Sequence, residues 1–137
     1  MIAVALLAAA SCEQARRTPT PTGAVPSTRA EAAMSNPYAP QSGDEKLERG
    51  SVTIEAVERR ASSGRTVITV KGSLPTPCHK LRLRVPSTAS PGGVYALEAW
   101  SVRDANEMCA QVLHPFSAEV AVEATDAKVT VNGASYE

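Results

Sequence analysis

From Ser51 to the C-terminus the chain is written in short runs of alternating or β-branched residues, broken about every 8–12 residues by turn chemistry, with no convincing helical period. In Ser51 to Glu58, Val52, Ile54 and Ala56 share one face while Thr53 and Glu55 share the other. Arg65 to Lys71 (RTVITVK) is β-branched almost throughout, which suits a strand covered on both faces. The RRASSG between them has a glycine, Gly64, able to take a positive φ, so the pair reads as a hairpin. Lys80 to Val85, Gly93 to Arg103 and Met108 to His114 follow. Their connections, STASPGG and Asp104 to Glu107, are short enough for antiparallel neighbours. Ser117 to Ala124 and Lys128 to Asn132 complete the series, closed by Thr125-Asp126 and Asn132-Gly133. The spacing predicts an all-β domain over residues 50–137, an immunoglobulin-like antiparallel β-sandwich of about seven strands, with a small closed barrel as the alternative.

The first third reads differently. Residues 1–11 (MIAVALLAAAS) are uncharged and almost wholly apolar. They are shorter than the ~20 residues a membrane-spanning helix needs and suit the apolar core of a secretory signal peptide. The run ends at Cys12, and LAAASC (Leu7 to Cys12) resembles the lipobox of bacterial lipoproteins. In that family the signal is cut before the cysteine, whose sulfur takes a diacylglycerol and whose new amino terminus is acylated. The resemblance implies a lipid-anchored Cys12 and a domain held in the bacterial cell envelope, in the periplasm or at the cell surface. Residues 12–49 are rich in Pro, Thr, Ser, Ala and charge, without an apolar period, and are expected to form a disordered tether. A flexible coil of that length reaches roughly 30–40 Å.

Lys and Arg number 14 and Asp and Glu number 14, a balance that gives no general attraction to nucleic acid or to an anionic membrane. One Trp, three Tyr and one Phe leave little for base stacking. The expected partners are therefore the membrane, through the N-terminal lipid, and a protein or acidic glycan ligand, with no nucleic acid.

Three cysteines in a secreted chain ask for a reason. With Cys12 lipidated, Cys78 and Cys109 remain as a pair, expected to form a disulfide. On a meander both would sit at strand starts at the same end of the domain. A middle strand would hold them nearly 10 Å apart, beyond the about 7 Å a bridge tolerates. So either Cys78 leans in from its loop or the third strand lies in the facing sheet. The alternative is an envelope metal site, zinc or copper, using Cys78, His79, Cys109 and His114, the right inventory for zinc. Spacing opposes it, since adjacent residues on an extended chain point to opposite faces, as do residues five apart. Cys109-x4-His114 also resembles the late ligand loop of cupredoxins, but no Met follows it in Pro115 to Val120. No nucleophile elbow, phosphate-cradling glycine loop or zinc-protease helix appears, so neither an enzyme nor a resident cofactor is expected.

Lys80, Arg82 and Arg84 alternate with Leu81, Leu83 and Val85, placing three cations on one strand face. That row is either the wet side of a half-buried strand or a binding face for an acidic ligand. Trp100 lies mid-run with the parity of Val94, Ala96 and Val102, opposite Tyr95 and Leu97. Apolar residues on both faces make that strand central in its sheet, with Trp100 expected in the core and Phe116 plugging one end. PTPCHKLRLRV and CAQVLHPF together resemble segments of small, uncharacterised secreted bacterial β-sandwich domains, a resemblance that implies fold and no activity. The expected protein is a cell-envelope lipoprotein displaying a non-catalytic binding or structural module.

Overall fold

The computed structural model describes residues 35–136; the expected signal peptide, Cys12 and the first part of the expected tether lie outside them. Eight strands occur among the described residues: β1 (Glu48–Gly50), β2 (Thr53–Ser62), β3 (Arg65–Leu74), β4 (Lys80–Arg84), β5 (Val94–Arg103), β6 (His114–Val122), β7 (Lys128–Val131) and β8 (Ala134–Ser135). They form two sheets, one ordered β2-β3-β6 and the other built around β5. The architecture is the expected sandwich.

The outer sheet positions follow from β5, the longest run that is apolar on both faces. β4 pairs antiparallel along one side of it, Lys80 to Val102 through Arg84 to Glu98. The opposite side is shared end to end by β1 and β7. The β5–β7 pairing is parallel, Val94 to Lys128 through Leu97 to Val131, a departure from all-antiparallel expectation. It arises because the chain crosses to the other sheet for β6 before returning, and such a crossover can bring a strand back in the same direction.

Between the sheets lies one main core. Ile68 and Val70 from β3, Leu83 from β4, Tyr95, Leu97 and Ala99 from β5, Val120 and Val122 from β6, and Val129 and Val131 from β7 are all buried in it. Each strand contributes alternate residues, as period-2 side-chain geometry requires. Phe116 packs against this core and against a smaller cluster of Leu74, Leu81 and Ala118. Two hairpins are closed by two-residue turns with positive φ at both positions, Ser63-Gly64 (50° and 78°) and Asn132-Gly133 (51° and 82°). This backbone twist matches that of the flanking strands.

Gly72 sits where β2 carries a register shift between Ile54 and Ala56. A Cβ there would collide with the Thr53 carbonyl and meet Phe116 Cζ at 3.0 Å. Close backbone approach is a recurring reason for glycine inside a strand.

Two expectations are corrected. Met108 to His114 is not a strand: residues 104–113 form an irregular loop, and β6 begins at His114. The apolar spacing that suggested a strand is not buried, since Met108, Val112 and Leu113 are exposed at 98%, 56% and 71%. The second concerns residues 35–49, expected as the end of a disordered tether. Residues 35–49 pack onto the domain, with a 3-10 turn at Asp44–Lys46 and β1 at their end. Tyr38 packs against both apolar clusters, and the Tyr38 carbonyl accepts from the Leu83 N–H at 2.8 Å.

Candidate functional site

Cys78 and Cys109 form a disulfide with a Cα–Cα distance of 6.0 Å. The spacing problem posed by a meander disappears because Cys109 belongs to the loop that carries the chain from β5 in one sheet to β6 in the other. Cys78 precedes β4, and its backbone N–H donates to Cys109 Sγ at 3.1 Å. The bridge thus pins the crossing loop to the start of β4. The loop then holds Met108, Val112 and Leu113 in solvent, the exposed large hydrophobics among the described residues. Single exposed apolar residues are ordinary; here three fall within six positions of one covalently fixed loop.

The same bond removes the thiolates that a Cys/His metal site would use. His79 is engaged elsewhere: its Nδ1 lies 2.8 Å from the hydroxyl of the buried Thr76. His114 is exposed at the first position of β6, opposite Leu74. Among the described residues no group of three or more His, Cys, Asp and Glu comes together as a metal site.

The cationic row does not survive as a continuous free surface. Arg82, 7% exposed, forks onto Asp44, Nε to Oδ2 at 2.8 Å and Nη2 to Oδ1 at 2.9 Å, and its Nη1 donates to the Leu81 carbonyl at 3.1 Å. The Arg82 guanidinium, with a backbone bond from Gln41, holds the Asp44 carboxyl below its ordinary 3.8, at about 2. Arg84 pairs with Glu98 at 2.7 Å. It also lies 5.3 Å from the centroid of the Trp100 ring, which Arg49 covers from 4.4 Å. Trp100 is buried on this outer face and lies outside the apolar core, a correction that its parity with Val94 and Ala96 already encoded. Guanidinium groups over an indole bury it and are attracted by the ring quadrupole. Of the three row residues, only Lys80 keeps an ammonium with no partner among the described residues.

A groove of about 750 Å³ runs beside β6. It is lined by Glu119 through Glu123, by Asn36, Ala39 and Pro40 with the end of β4 and Val85 to Ser87, and by Arg60, Arg65 and Val67 of β2 and β3. Volumes of 300–1,000 Å³ are usual for ligand clefts. Cations and carboxylates along it are matched: Arg60 with Glu119 and Arg65 with Glu123, each at 3.2 Å. Sequence reading did not find this groove, because one wall comes from the stretch taken as tether. The one signal in that stretch is Tyr38, an aromatic in an otherwise polar run, which packs against the core and brings the neighbouring Asn36, Ala39 and Pro40 to the groove.

The family model described as "ORF11 beta-sandwich domain" matches residues 68–137, from within β3 to the last residue of the sequence. No curated protein and no solved structure gives a significant match.

Proposed function

The chain belongs to the ORF11 beta-sandwich domain family, and from that fold we propose that it is a cell-envelope lipoprotein displaying a non-catalytic binding module. The observation that carries the reading is the Cys78–Cys109 disulfide, which fixes in water a loop bearing Met108, Val112 and Leu113. Disulfides persist in oxidising compartments, in keeping with export. Burying large apolar side chains stabilises by about 1.5–3 kcal/mol each, so holding three of them in solvent forgoes energy that a partner recovers on contact.

Attachment rests on the LAAASC motif ahead of the domain. After cleavage at Cys12, residues 13–34 would separate the lipid from the first described residue, Ser35. Three acyl chains on Cys12, two from the diacylglycerol and one on the amine, exceed the double anchor that stable membrane attachment needs. Metabolic labelling with a clickable fatty-acid analogue tests the anchor. Label on the parent chain and none on Cys12→Ala is the expected result; equal label on the variant overturns lipid attachment at Cys12.

A further inference from the structure

We propose that β6 is a strand-addition edge that accepts an extended, uncharged peptide segment of a protein partner, with apolar residues at alternate positions. This inference rests on the binding-module reading and names the site where such binding occurs. It comes from asking how each open edge of the sandwich is protected, since an unpaired strand edge is a ready template for another chain.

β4 is covered by its own chain: the Tyr38 carbonyl accepts from the Leu83 N–H at 2.8 Å, and Asn36 Nδ2 donates to the Leu83 carbonyl at 2.5 Å. β8 is two residues long and β1 three. β2 carries a register shift near its start and the cations Arg59 and Arg60, the first of which donates to the Ala127 carbonyl at 3.0 Å. Short length, bulges, charge and covering segments are the recognised ways of blunting an edge. β6 is long, unshifted and uncovered by any described strand, and its one carboxylate, Glu119, is ion-paired with Arg60 on β2. Its nine residues pair with β3 without a shift, from Thr66 with Val122 to Leu74 with His114, and no described strand pairs with its other side. Its one proline, Pro115, is at the second position. Between Ser117 and Val122, where β6 has no proline, the alternate residues whose N–H and C=O point away from β3 meet no described strand.

The groove beside this edge selects the occupant. Its far wall, Asn36, Ala39 and Pro40 with Leu83 and Val85, leaves a channel flanked on both sides, which suits a single extended chain better than the edge of another whole domain. Side chains of an added strand alternate between the two faces of the sheet. One set would face the half-buried Val85 and the rims of Val120 and Val122 at the gap between the sheets, a lining that favours apolar groups. Charge adds nothing, because Arg60, Arg65 and Arg84 already meet Glu119, Glu123 and Glu98. Main-chain hydrogen bonds would give affinity and the alternate apolar pockets would give selectivity, the usual division in strand addition. The exposed Val112 and Leu113 run directly into His114, so the apolar loop continues the same edge at its N-terminal end.

The test is an amide-resolved NMR titration of the isotopically labelled full chain with a synthetic peptide, acetyl-Ser-Val-Thr-Val-Ser-Val-Thr-Val-Ser-amide. Its partner is the same peptide N-methylated at alternate residues, which cannot complete the ladder. The expected result is saturable shifts concentrated at residues 117–123 and 83–87, weakened about tenfold or more by N-methylation, a ratio worth one hydrogen-bond-sized increment. Shifts centred elsewhere, equal binding of the methylated peptide, or no change at about 1 mM peptide would overturn the proposal. So would a dimer in sedimentation whose 117–123 amides are already protected, since the edge would then serve a second copy. Failure here with Cys12 acylated removes the site and leaves the anchor standing; binding without acylation does the reverse.

Discussion

Asn132 holds a left-handed backbone, φ 51°, and extends the β5–β7 pairing beyond β7 with its side chain. Its Oδ1 accepts from the Ala99 N–H at 2.8 Å, its Nδ2 donates to the Ala99 carbonyl at 2.9 Å, and its own N–H reaches the Leu97 carbonyl at 2.9 Å. A carboxamide here reproduces the donor and acceptor of one more strand residue. Asn132→Ala should cost about 1–3 kcal/mol in urea unfolding, since it leaves both Ala99 groups unpaired and loses a residue that tolerates the left-handed region. Gly72→Ala should destabilise by about 1–3 kcal/mol for a different reason, the collision of the new Cβ with the Thr53 carbonyl. An unchanged urea midpoint for either variant would contradict these roles. Asn132-Gly133 was legible in the sequence as a turn. Its bridging to Ala99 was not, because it depends on a pairing between segments 33 residues apart.

The segment Ser35 to Leu47 is the element that sequence composition concealed. It is polar and proline-bearing, and it buries no apolar stripe of its own. What fastens it is a set of single contacts, Asn36 and Tyr38 on Leu83 and Asp44 on Arg82, each with a partner far along the chain. The Asp44 carboxyl titrates lower in the folded protein than in the unfolded chain, so its pairing contributes fully above pH 3.8 and is lost as pH falls toward about 2. Hydrogen-exchange protection at the Leu83 amide should therefore drop between pH 4 and pH 2, once intrinsic exchange is factored out, as the segment lifts. Asp44→Asn should lower that protection at neutral pH and flatten its dependence on acid. A Leu83 amide equally protected in both chains across that range would show that the latch does not hold the segment. The loop at residues 104–113 was misread in the opposite direction, as a strand, because Met108, Val112 and Leu113 look like buried positions when their exposure is not visible. The disulfide explains how they stay out. Cys78→Ser with Cys109→Ser opens a crosslink spanning 31 residues, and the pair of substitutions should cost roughly 3–4 kcal/mol in urea or heat denaturation. A loss below about 1 kcal/mol would mean the staple positions the loop without stabilising the fold.

At the scale of the molecule, the sandwich was legible because β2 to β7 carry alternating or β-branched runs and the β2–β3 and β4–β5 turns carry Gly64 and Gly92-Gly93. The β2–β3 hairpin and the antiparallel β4–β5 neighbours were legible as well; pairings between strands distant in sequence were not, and the parallel β5–β7 pair is the clearest case. The functional surfaces were harder still, since the cationic row looked open until Asp44 was seen on Arg82, and the β6 edge is defined by which strands do not cover it. A domain stapled by one disulfide and carried on a lipidated cysteine is the centre of the account, and both features are covalent. Intact mass spectrometry of the protein extracted from membranes reads them together. The account predicts a chain beginning at Cys12, heavier by its acyl groups and lighter by two hydrogens for the Cys78–Cys109 bond. A chain with an unmodified Cys12, or one with free thiols at both Cys78 and Cys109 under non-reducing isolation, would contradict it.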